Sequence, residues 1–136
     1  AGIQFPEEET PGIDYIIPNV TYLEARKRNI KALIITHGHY DHIHALPYLL
    51  EKLGNPMIYA AALTRALIEK RLQEFPNLPK AKIQTVKDGD RVKFSESFEA
   101  EFIWVDHTIP DAMGVVLTTP AGKMAHFVDF RIETTT

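Results

Sequence analysis

Hydrophobic residues run almost unbroken through Lys31 to Thr36 (KALIIT), recur at helical spacing from Ile43 to Leu53 and again from Leu63 to Phe75, and alternate with polar ones beyond Pro79. The β-branched run predicts a central strand covered on both faces, in a parallel or mixed sheet between helices. Ile43, Leu46, Leu49, Leu50 and Leu53 form a helical stripe stopped by Gly54 and Pro56, with Pro47 tolerable only near its first turns. Met57 to Ala60 reads as a second strand, and Leu63, Leu67, Ile68, Leu72 and Phe75 as another amphipathic helix closed by Pro76. Ile83, Val86, Val92 and Phe94, placed around the turn Asp88-Gly89-Asp90, predict short antiparallel strands. Three more strands are predicted over Phe98 to Val105, Met113 to Thr119 and, after the turn Pro120-Ala121-Gly122, Lys123 to Phe130.

The N-terminal stretch is less patterned. Ala1 to Pro11 is acidic and proline-bearing, with Glu7, Glu8 and Glu9 in a row, and reads as a solvated loop. A short apolar stretch from Ile13 to Ile17 ends at Pro18, and Thr21 with Glu24 makes a capping-box pattern that opens a helix to about Asn29. Arg26, Lys27, Arg28 and Lys31 fall at the C-terminal end of that helix, where cations complement its dipole, so they need no nucleic-acid explanation. The fold class is α/β with a β-rich second half, and with no repeat or linker residues 1–136 form a single unit.

Composition narrows the chemistry. Of 136 residues, 45% are apolar, enough for a core, while 24% are charged with a net charge of -3, which excludes the strong basic bias of a dedicated nucleic-acid binder. There is no cysteine, so any metal must be held by nitrogen and oxygen. No apolar run is long enough to span a membrane and no signal-peptide pattern is present, which leaves a cytoplasmic location as the expectation. The chain opens Ala-Gly and stops at Thr134, Thr135 and Thr136 just after an apparent strand, the look of a trimmed segment.

Six histidines are many for this length, and three of them fall in Thr36-His37-Gly38-His39-Tyr40-Asp41-His42, between a buried strand and a helix. Alone, Asp41 is an ordinary N-cap, His42 an ordinary first-turn residue, and a loop histidine usually meets only water. Together they fit a metal site better. Imidazole nitrogens suit zinc and related divalent ions, and a carboxylate adds a harder ligand and cancels charge. His37 and His39 can point to one side of the turn while Asp41 and His42 reach another, a spacing that can feed two neighbouring metals.

The motif T-H-G-H-Y-D-H resembles the H-x-H-x-D-H signature of the metallo-β-lactamase superfamily. The runs F-P-E-E-E-T-P-G-I-D-Y-I-I-P, I-T-H-G-H-Y-D-H-I-H-A-L-P-Y-L-L, H-T-I-P-D and H-F-V-D-F-R-I-E are similar to its ribonuclease J branch of RNA-processing nucleases. The resemblance implies an αββα sandwich with a mixed sheet flanked by helices, of which this chain carries roughly the first half, without the β-CASP insertion, the C-terminal half or the late histidine of the second metal shell. It implies His37, His39 and His107 as ligands of one metal, Asp41 and His42 as ligands of a second, and Asp129 bridging both. The cofactors would be two divalent ions, zinc first and manganese as the compatible alternative. A hydroxide shared by the ions would attack a phosphodiester of RNA, with Asp41 orienting it and taking its proton.

The chain departs from the family pattern in two residues. His44-Ala45 stands where a small Gly-Gly or Gly-Ala pair is usual, so His44 is a possible accessory ligand, and Val128 stands where Gly usually precedes the bridging Asp129. Half of the sandwich would leave an apolar sheet face for the remainder of the domain or for a second copy in a homodimer. Two other functions share the signature: a metallohydrolase of a small ester, thioester or lactam, and a non-catalytic metal-binding scaffold.

Overall fold

In the computed structural model residues 1–7 and 11–132 are described; Glu8, Glu9 and Thr10 of the expected acidic loop, and residues 133–136, lie outside the described residues. The apolar run at Lys31 yields strand β1 (Ala32–Ile34), followed by β2 (Met57–Ala60) and β3 (Ile83–Thr85) in a parallel sheet of order β1-β2-β3. In register, Leu33, Ile58 and Ile83 lie side by side on one face. They pack with Ile35, Ile43, Leu46, Leu50 and Ile68 against the helices. The other face presents Ala32, Ile34, Met57 and Tyr59 to a second sheet. Side chains alternate across a strand, so a run apolar at every position is what a strand buried on both faces requires.

The second sheet is antiparallel, β4 (Arg91–Lys93), β5 (Glu99–Trp104), β6 (Met113–Thr119) and β7 (Gly122–His126), in that order. Its inner face carries Ala100, Phe102, Met113 and Val115, all buried against Tyr59 and Val86. Its outer face carries the Arg91–Glu101 ion pair at 3.0 Å, with Lys93, Glu99 and Lys123 in neighbouring positions. Helices, parallel sheet and antiparallel sheet therefore form successive layers. Beyond β1 the inner face is incompletely covered. Ile34, Thr36, Val115, Leu117, Met124 and His126 line an open cavity of about 240 Å³, and Met124 is 54% exposed.

Several boundaries differ from expectation. The stripe from Ile43 to Leu53 is two short helices, α2 (Tyr40–Ile43) and α3 (Leu46–Leu49), because Pro47 at the start of α3 has no N–H to continue the ladder from α2. The helix expected over Thr21 to Asn29 is one α-turn, α1 (Thr21–Glu24), then a 3₁₀ turn at Lys27–Asn29. Thr21 does not cap it. Asn19 Oδ1 accepts from the Thr21 backbone N–H and hydroxyl at 3.0 and 2.7 Å. Strand β3 pairs parallel with β2 rather than antiparallel with β4, since the long helix α4 (Ala62–Gln73) carries the chain back before β3 begins. The last strand stops at His126, short of the expected Phe130, because Phe127 folds its ring over Gly114 of β6 and Asp129 adopts φ 49°.

Candidate metal centre

The ligand-type side chains sit in the segments that follow strands, His42 on the short helix after β1. His37 follows β1, His39 precedes α2, His42 lies within α2, His107 follows β5 and Asp129 follows β7. Three backbone bonds draw these ends together: the Met113 N–H at the start of β6 donates to the Thr36 carbonyl at 2.8 Å, Val105 to Ala112 at 3.0 Å across the His107 loop, and Arg131 to Asp106 at 2.7 Å. The last fixes the Asp129 segment beside the His107 segment. Asp129 is held in the left-handed region, which asparagine and aspartate tolerate better than other side-chain-bearing residues but which still carries strain typical of functional positions.

The result is two overlapping donor groups. His37, His39 and His107 offer ligand atoms within 4.8 Å of one another, and His37, His42 and Asp129 do the same. Imidazole centroids lie 4.8 Å apart for His37 and His39, 4.1 Å for His37 and His42, and 4.9 Å for His37 and His107. His42 Nε2 is 2.9 Å from Asp129 Oδ2 and 3.5 Å from Asp41 Oδ2. Asp41 belongs to neither group; it stands at the rim beside His42, 66% exposed at its side chain. His44 belongs to neither group; it stacks on Tyr40 with ring centroids 4.0 Å apart.

The donor set fits a divalent cation on the structure's own terms. His37 is 1% exposed, and its Nε2 has no hydrogen-bond partner among the described residues, only Asp129 Oδ2 at 3.5 Å. A buried nitrogen left unpaired costs about 1–3 kcal/mol, which a cation would offset. Nδ1 of the same ring lies 3.1 Å from the Thr36 hydroxyl, which fixes the ring and favours Nε2 as the free ligand atom. Burial, with His42, His39 and His107 adding like charge, pushes the pKa of His37 down to about 4, against a smaller opposing pull from Asp129. At neutral pH this imidazole is the neutral form that metals bind.

Thr36 was part of the motif but carried no assigned role in the sequence. Two other supports left no sequence signal. Asp111, at φ 62°, accepts from the Leu63 N–H at 2.9 Å and so caps α4 from 48 residues away, since Ala61 cannot. Gly2 lies against the backbone carbonyl of Asp41, where any Cβ would collide with main chain, so only glycine lets the N-terminal segment reach the site.

The family model described as "Metallo-beta-lactamase superfamily" matches residues 8–127. The chain belongs to this superfamily. Among curated proteins, "Ribonuclease J" of Thermus thermophilus is 40% identical, covering 98% of this chain and 24% of the relative. "Ribonuclease J" of Synechocystis sp. is 36% identical, covering 99% and 21%. The chain thus spans about a quarter or less of the length of these relatives. Two solved structures share the fold: rubredoxin oxygen:oxidoreductase of Desulfovibrio gigas, with TM-score 0.55, 24% identity and 65% of this chain against 21% of that one, and Zn²⁺-bound PqqB of Methylobacterium extorquens, with TM-score 0.56, 20% identity, 71% and 33%. The expected α/β class, with parallel and antiparallel pairing flanked by helices, is borne out; the two pairings occupy separate sheets.

Proposed function

We propose that this chain is the metal-binding portion of a hydrolase of RNA phosphodiesters, a ribonuclease. The observation that carries the reading is the convergence of His37, His39, His42, His107 and Asp129 at one end of the strands, in a sequence 40% identical to a ribonuclease J. His37, His39 and His107 would hold one divalent ion and His42, Asp41 and Asp129 a second, with Asp129 between them; nitrogen-rich donors favour zinc, with manganese the alternative. Bound ions supply the hydroxide nucleophile at neutral pH and neutralise charge on the phosphoryl oxygens.

The chain's own groups do the rest. Thr36 holds the His37 ring in one orientation, and Asp129, within reach of both His37 and His42, aligns the two donor groups. Asp41, exposed and acceptor-only when ionised, would orient the nucleophile, take its remaining proton and pass it to the departing oxygen of the cleaved phosphodiester. A cytoplasmic location accords with an RNA substrate, and no helix among the described residues is long and apolar enough to cross a membrane. The overhang at Met124 and Leu117 is where the remainder of a longer chain, or a second copy, completes the sandwich.

The test sets 5′-labelled RNA against a small thioester, each assayed with zinc or manganese, alongside elemental analysis of metal per chain. RNA cleavage abolished by His37→Ala, with two metals per chain, supports the reading. Thioester turnover with RNA left intact refutes it.

A further inference from the structure

One exposed aromatic ring sits within the ligand loop itself. Tyr40 lies between His39 and Asp41 at the start of α2, and it is 60% exposed. His44, one turn on, stacks beneath it with an interplanar angle of 29°. The His44 backbone is held in turn: its carbonyl is 3.4 Å from both Nε and Nη2 of Arg71, whose guanidinium also pairs with Glu74. Tyr40 and His44 share a small hollow with Lys70, which is exposed.

A ring covered on one face by a fixed neighbour and bare to water on the other is a pre-ordered stacking surface. A pair of rings four residues apart, one at the first residue of a four-residue helix and the other at its C-cap, contributes only a few tenths of a kcal/mol to that helix, too little to account for an aromatic left this bare. Single-stranded nucleic acids are bound by such rings, on which any base can stack, together with cations that meet the backbone. We infer that Tyr40 is the stacking platform for an RNA base next to the scissile phosphodiester, with His44 as the positioning residue beneath it and Lys70 as the contact for a flanking phosphate. This rests on the RNA reading of the metal centre. It adds the residues that grip the strand, and they are ones in which no metal donor is involved.

The experiment is fluorescence anisotropy of labelled single-stranded oligoadenylate, titrated with chelator-treated protein so that no cleavage intervenes. Tyr40→Leu keeps an apolar side chain over His44 but removes the stacking face; Tyr40→Phe keeps both. Expected are about tenfold weaker binding for Tyr40→Leu and near-unchanged binding for Tyr40→Phe, with the difference vanishing on an oligomer of abasic nucleotides. Zinc titration of Tyr40→Leu serves as the control for folding and should match the unaltered chain. Undiminished oligoadenylate binding by Tyr40→Leu, or an equal loss on abasic RNA, overturns the inference while leaving the RNA reading intact. Failure of the unaltered chain to bind any RNA refutes the RNA reading and this inference with it.

Discussion

Protonation of His37 should be the event that destabilises the metal-free chain in mild acid. Its ring is 1% exposed, faces three other imidazoles, and has its pKa lowered from the ordinary 6.5 to about 4. Because the folded value lies below the unfolded one, the unfolded chain binds the proton first as pH falls. The stability tied to this ring is therefore complete above pH 6.5 and is lost progressively on the way down to pH 4. At pH 5 the proton favours the unfolded state by about thirtyfold, which is about 2 kcal/mol, a large share of the stability of a small domain. The assay is urea unfolding of chelator-treated protein at pH 7 and pH 5, for the unaltered chain and for His37→Gln, which cannot titrate. Other groups also titrate over this range, so the difference between the two pH slopes is the quantity to read. The unaltered chain should lose about 2 kcal/mol more than the variant. Equal losses would refute the claim that this buried ring carries the acid sensitivity.

Two further outcomes follow from the geometry. Gly114→Ala puts a methyl group into the Phe127 ring, so it should cost about 1–3 kcal/mol of unfolding free energy and displace the Asp129 segment; the penalty should shrink in the double variant with Phe127→Ala, as a double-mutant cycle would show. Asp111→Ala removes the remote cap on α4 and should lower stability by about 1 kcal/mol with zinc affinity unchanged, which thermal unfolding and a metal titration would check together.

The parts of the fold that were legible in the sequence were those set by local periodicity. The run from Lys31 to Thr36 announced a strand, and β1 forms there, but at the edge of the three-stranded sheet rather than at its centre and only half-buried; the stripe from Leu63 to Phe75 announced a helix, and α4 spans Ala62–Gln73. Pairing partners were not legible. Alternation of period two is the same for a parallel and an antiparallel strand, so the orientation of β3 depended on the crossover through α4 rather than on its own residues. Pro47 likewise marked a break whose side the sequence alone did not decide.

What the sequence by itself determined is the donor chemistry: imidazoles and carboxylates without thiols, most of them packed into the six residues from His37 to His42. Only the tertiary structure decided which of them meet. His107 and Asp129 come from strands far along the chain, and they reach His37 because β6 bonds to Thr36 and Arg131 bonds to Asp106. The same packing set Asp41 at the rim and turned His44 beneath Tyr40. The physical reason is that local pattern reflects short-range sterics and burial, whereas a site built from separate strand ends depends on long-range backbone pairing, which no window of the sequence contains.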